Sequence, residues 1–344
     1  MPLISKIIIA VSLIGWTLAA AHSPDRCTLA STVADAKLTL STRDSQTRFR
    51  EGEIIPLVLS FTSTQESRYR VTDRSYDRIG RLGIDTYCLE PDTRDPIADY
   101  LSMAAGIGGG IGGEQWLSKE PFTATADLNE WKQLGVGHYR LWVVTSRVRA
   151  VTLRSNTIEF DVIATDAASR ARELQELTAT YESSNSEQQK GAARRLRFLN
   201  TRQSAATLAR LFWSRNDQPG GWELLFGLFG SPYRTDVVAA MNREINNPEH
   251  PITQEFLDML VSLQVGPAAP LPSESDSAGL RAWMESLEAI RTRRTGMMKA
   301  ALAATVAALP QKRGPAHAIT LQTLATDRSE LLDKETVSKL QRQL

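Results

Sequence analysis

Residues 127–148 read DLNEWKQLGVGHYRLWVVTSRV, and this stretch decides the fold. A polar turn runs into Gly135 and Gly137, and a strand follows. Tyr139, Leu141 and Val143 fall on one face at period two, and strand-favouring residues continue to Val148. One more strand is expected at 157–164. From Asp166 onward the apolar spacing changes from two to that of a helix and does not change back. The chain therefore divides into a β region, 34–164, and an α-helical region, 166–344.

Upstream of the opening stretch the same alternation recurs. Residues 37–41 (KLTLS) and 53–63 (EIIPLVLSFTS) read as strands, and in the second Ile55, Leu57, Leu59 and Phe61 share a face. Pro56 lies on the other face and suggests an edge or a bulge. Residues 49–53 (FREGE) read as a turn. Tyr69 and Val71, then 84–89 and 122–128, supply further strands. About seven short strands separated by turn signals predict an antiparallel β-sandwich. Tyr139, two residues after Gly137 at the entry to a late strand, resembles a tyrosine corner. Its hydroxyl is then expected to bond back to the backbone of the turn at 127–137.

Asp166 stands where a helix N-cap belongs, and Thr201 starts another helix. Helices are expected at 166–182, 187–199, 201–212, 222–229, 232–245, 252–265, 279–290, 295–309, 316–326 and 329–341. Residues 266–277, rich in Pro and Ser, form a linker. The segment 222–229 (WELLFGLF) is apolar all round, so burial is expected. Successive helices of this length predict a helical solenoid or an irregular bundle.

The first residues, MPLISKIIIAVSLIGWTLAAAHS, carry Lys6, an apolar run and Ala19-Ala20-Ala21. That is the form of a signal peptide, 1–21, cleaved after Ala21 or, as the alternative, kept as an N-terminal anchor, which sends the chain to the periplasm or the medium. The apolar run is short for a bilayer span, so no membrane span is expected in the mature chain. The chain has two cysteines. Export and even parity favour a Cys27–Cys88 disulfide. Against 40 basic residues stand 39 acidic ones. This balance argues against nucleic-acid binding and against electrostatic steering of an acidic substrate.

The chemistry-bearing residues form no familiar constellation. Residues 106–113 read GIGGGIGG. Gly108, Gly110 and Gly113 match a dinucleotide fingerprint, but no strand–turn–helix unit surrounds them. The stretch instead suggests a loop, with Gly106, Gly108, Gly109, Gly110, Gly112 and Gly113 as a possible binding loop at one end of the sandwich. Asp95 and Pro96 look like the start of a short helix. Glu90, Asp92, Asp95 and Asp99 lack the spacing of a calcium loop and read as turn residues, so no metal or cofactor is expected. Asp127, Glu130 and His138 are the nearest approach to an acid–base set, without a nucleophile motif beside them. Arg291, Arg293, Arg294 and Lys299 read as a solvated helix face.

The segment FREGEIIPLVLSFTS followed by DLNEW…GVGHYRLWVVTSRV resembles exported bacterial proteins that join an immunoglobulin-like domain to HEAT-like helices. It is also similar to the opening strand of bacterial proteinase-inhibitor sandwiches. The resemblance implies no catalytic activity. The function expected is non-enzymatic: an exported interaction or scaffold protein with an unknown protein partner. The alternatives are an enzyme inhibitor or accessory acting through the loop 106–113, and a hydrolase with dispersed residues.

Overall fold

The computed structural model describes residues 27–28, 33–73, 84–103, 112–266 and 276–344. The signal segment 1–21 and Gly106, Gly108, Gly109 and Gly110 lie outside the described residues. The chain separates into two compact units, Met1–Thr165 and Asp166–Leu344.

The first unit holds ten strands among its described residues: β1 (Ala36–Thr42), β2 (Arg48–Arg50), β3 (Pro56–Ser63), β4 (Arg70–Thr72), β5 (Asp85–Glu90), β6 (Glu114–Trp116), β7 (Phe122–Asp127), β8 (Gly137–Thr145), β9 (Leu153–Arg154) and β10 (Ile158–Ile163). One short helix, α1 (Ala98–Met103), sits between β5 and β6. One sheet has the order β1-β3-β7. A second has the order β2-β10-β8-β5 with β9 beside β8, and β4 pairs with β6. Leu38, Leu40, Leu57, Leu59 and Phe61 from the first sheet share one core cluster with Tyr87, Leu89, Leu141, Val143, Phe160 and Val162 from the second. Alternation at period two is what lets each strand give one row to that core.

Two local expectations are corrected. Pro56 marks neither an edge nor a bulge: β3 is the middle strand of its sheet, and Pro56 is its first residue. A proline is tolerated there because strand pairing has only begun. The entry is secured instead by Asn129, whose Oδ1 accepts from the Ile55 N–H (2.8 Å) and whose amide donates to the Glu53 carbonyl (3.0 Å). The segment FREGE turns as expected at Glu51 and Gly52, but its first two residues, Phe49 and Arg50, belong to β2, which pairs with β10 in parallel. Asp44 and Ser45, at positive φ of 58° and 56°, lie in the bend through which the chain leaves the first sheet for the second. Phe49 is buried edge-on against Phe160 (centroids 6.0 Å apart). Among the described residues every other strand pair is antiparallel.

The second unit contains α2 (Ala167–Ser183), α3 (Ser186–Phe198), α4 (Arg202–Leu211), α5 (Gly221–Gly230), α6 (Arg234–Ile245), α7 (Gln254–Val265), α8 (Ser277–Ala308), α9 (Gly314–Gln322) and α10 (Lys334–Gln341). Its described residues contain no strand. The first turns are capped as the residue types dictate. Asp166 accepts from Ser169 N–H, and Thr201 forms a reciprocal box with Ser204. Neighbours pack in sequence, and α3 also packs on α5 and α4 on α6. Gly227 of α5 allows the close approach: a Cβ there would stand 2.9 Å from Leu208 Cδ1. Glu223 of α5 pairs with both Arg194 and the buried Arg197 of α3 (2.8 and 2.9 Å).

The helices expected at 279–290 and 295–309 are one continuous helix, α8, of 32 residues. The sequence between them has no proline, and a single mid-helix glycine, Gly296, costs only about 1 kcal/mol relative to Ala.

Candidate interaction surface

The residues that sequence brought together are used locally. Asp127 ends β7 opposite Pro56, and Glu130 is buried in the 3-10 turn Leu128–Glu130. His138 stands on the exposed face of β8, where its Nδ1 meets Asp161 Oδ1 at 2.8 Å and its Nε2 lies 3.9 Å from Glu159. It thus belongs to a cross-strand ladder in which Arg140 pairs with Glu90 and Glu159. Asp92 pairs with Lys132 (2.5 Å), and Asp95 accepts from the Ile97 N–H at 2.9 Å. Gly113 donates its N–H to Asp73 Oδ1 (2.5 Å), and Gly112 precedes it in non-repetitive backbone.

At the Gly137 corner, the Tyr139 hydroxyl donates to the Gly135 carbonyl at 2.9 Å. Cys27 and Cys88 form a disulfide with Cα atoms 5.8 Å apart. Trp142 Nε1 donates to the Cys27 carbonyl at 3.3 Å, so Cys27 is held on β8 as well as on β5.

The helical unit buries titratable groups for structural work. Lys312 Nζ donates to the carbonyls of Asn247 and His250 (both 2.7 Å) and Glu244 (3.3 Å), collecting acceptors at the end of α6. Burial pulls its pKa down to about 8, against an upward pull from Glu244. His250 is buried beside it, and burial first, then the Lys312 charge, lowers its pKa to about 4.

One face of α8 changes from buried to partly exposed along its length. In its C-terminal half, Met298, Ala301, Leu302, Thr305 and Ala308 are buried. Eighteen residues make five full turns of an α-helix. Counting back 18 positions gives Leu280, Trp283, Met284, Leu287 and Ile290, at the same azimuth on the same helix. These five continue the apolar stripe, yet Leu280 is 38% and Met284 61% exposed, while the other three are half-buried.

The partner helix explains the difference. α8 packs on α7, and Arg293 reaches the carbonyl of Gln264, one residue from the end of α7 (3.4 Å). Residues before about 293 project past that end. The projecting stretch is roughly 25 Å long at 1.5 Å per residue. Arg291, Arg293 and Arg294 lie at its base, where Arg291 meets Glu288 (3.3 Å) and Arg294 lies 4.0 Å from Asp258. Sequence reasoning missed this face because it split α8 and read the arginines alone. The signal was present in the spacing of Leu280, Trp283, Leu287 and Ile290.

No known protein-family model matches this chain, and no curated protein sequence matches it. Among the described residues no helix is long and apolar enough to cross a membrane, and no group of three or more acidic, His or Cys side chains is arranged to hold a metal ion.

Proposed function

We propose that this chain is an exported, non-enzymatic interaction or scaffold protein, built from an immunoglobulin-like sandwich and a HEAT-like helical array. The observation that carries the reading is the pair of exposed apolar side chains, Leu280 and Met284, on the stripe of α8. Apolar side chains continued along a core-facing azimuth and left in water mark a surface that binds another protein. Export is supported by the signal-like leader and by a disulfide, which persists in oxidising compartments.

The finer fold reading has its own support. In immunoglobulin-like domains strands A, B and E share one sheet and C, F and G the other. β1, β3 and β7 stand in the first order, and β5, β8 and β10 in the second. Tyr139 near the start of β8 makes the backbone bond of a tyrosine corner. The disulfide departs from that family's bridge between strands B and F, since Cys88 lies on β5 and Cys27 precedes β1. Packing of α3 on α5 and of α4 on α6, one hairpin on the next, supports the solenoid reading.

Site-specific photo-crosslinking tests the function. A photoreactive residue at position 284, in the chain expressed for export, is expected to give a discrete adduct. The same probe at the exposed Ala282, on the far side of α8, is expected to give none. Equal labelling from both positions, or none from either, would sink the reading.

A further inference from the structure

We propose that the α8 stripe is occupied by the same stripe of a second copy of this chain, running antiparallel across a two-fold axis. This rests on the interaction reading above and names its partner. Three features of α8 point to it. The first is length. The projecting stretch runs from Ser277, the first residue of α8, to about Arg294, where α7 takes over the stripe. An axis through the midpoint, between Glu285 and Ser286, brings the partner's Ser277 level with Arg294. The partner then covers Leu280 and Met284 and ends level with the end of α7.

The second feature is the apolar register. Taking Leu280 and Leu287 as d positions and Met284 as an a position, the antiparallel alignment packs Met284 against the partner's Leu287, twice by symmetry. Trp283 and Ile290, on one flank of the seam, then oppose each other across the axis. Leu280 lies along the aliphatic stem of the partner's Arg291, which an arginine provides readily.

The third feature is charge. Arg281 and Glu288 are the exposed residues on the opposite flank, seven apart at equivalent helical positions. The axis that satisfies the apolar seam sets Arg281 against the partner's Glu288 and Glu288 against the partner's Arg281. The intrahelical Glu288–Arg291 contact is fully on the surface, so exchanging it for a pair across the interface costs little.

The experiment is sedimentation velocity of the full exported chain across the micromolar range, with R281E, E288R and the double variant. Wild type is expected to dimerise. Each single reversal sets two like-charged pairs across the seam and is expected to weaken the dimer about tenfold. The double variant restores it. An equimolar mixture of R281E and E288R is expected to form the heterodimer at wild-type strength, because every pair across the axis is then of opposite charge. Melting curves matching wild type establish that the variants fold. A chain that stays monomeric, a dimer indifferent to the reversals, or a mixture no stronger than its components overturns the proposal. A monomer that still gives an adduct from position 284 overturns self-pairing alone, whereas a monomer with no adduct overturns the interaction reading too.

Discussion

The Tyr139 hydroxyl and the Gly135 backbone hold each other in both directions: the hydroxyl donates to the carbonyl at 2.9 Å and accepts from the N–H at 3.2 Å. The ring is buried and stacks on Phe160 with centroids 5.5 Å apart. Tyr139→Phe keeps the packing and loses both bonds. Gly135 is exposed, so water replaces the hydroxyl there and the cost is expected at roughly 1 kcal/mol. Tyr139→Ala adds a cavity and is expected to cost roughly 3–5 kcal/mol. Chemical denaturation followed by tryptophan fluorescence measures both; a Tyr139→Phe variant as stable as wild type would show that the corner does not hold the strand.

The Cys27–Cys88 bridge spans a sequence separation of 61. In the chain-entropy account, closing a loop of that size contributes about 4 kcal/mol. Reduction, or paired Cys→Ser replacement, is expected to lower the melting temperature of the β unit and leave the helical unit's transition in place. A single melting event shifted as a whole would contradict two independent cores.

His250 makes the helical unit sensitive to acid. Its pKa in the fold, about 4, is below the ordinary 6.5, so the unfolded chain binds more protons between those values. Its contribution is constant above about pH 6.5, falls as the pH drops toward 4, and is level below that. The full loss is about 3 kcal/mol in order of magnitude. The charges facing it are Lys312, Arg210 and Glu244, and only the last would welcome a proton on the ring. His250→Leu is expected to flatten this part of the stability–pH curve. Wild type and variant curves that stay parallel from neutral pH to pH 4 would refute the assignment.

Lys312 is placed to matter more than a surface lysine. Its ammonium group donates to three backbone carbonyls, of which those of Glu244 and Asn247 also accept from backbone N–H groups. Lys312→Met keeps the stem and removes the donors, at an expected cost of about 3 kcal/mol. Denaturant midpoints test this, and a change under about 0.5 kcal/mol would mean that water substitutes for the amine.

Gly296 sits in the middle of α8, and a Cβ added there meets nothing within 4 Å. Gly296→Ala is expected to stabilise the helical unit by about 0.5–1 kcal/mol through helix propensity alone. A destabilised variant, read in the same denaturant titration, would mean that α8 needs a bend at this point.

Local features were legible before the fold was known because they are written in a few adjacent residues. Asp166 caps its helix because a short side-chain acceptor beside free N–H groups has little else to do. Leu57, Leu59 and Phe61 face the core because strand geometry sends alternate side chains to one side. Features fixed by distant partners were not legible. β2 is three residues long, too short to display a period, and it is a strand only because β10 lies beside it. His138 found Asp161 through strand register, not through its neighbours Asp127 and Glu130 in sequence. Cysteine parity permitted the bridge, but only folding brings the two Cα atoms to 5.8 Å. In α8 the sequence determined one stripe of two apolar stretches, Leu280 to Ile290 and Met298 to Ala308, with Arg291 and Arg294 between them. Met298 is buried and Met284 is exposed on that same stripe because α7 ends between them, and where one helix ends against another is a property of the packed chain alone.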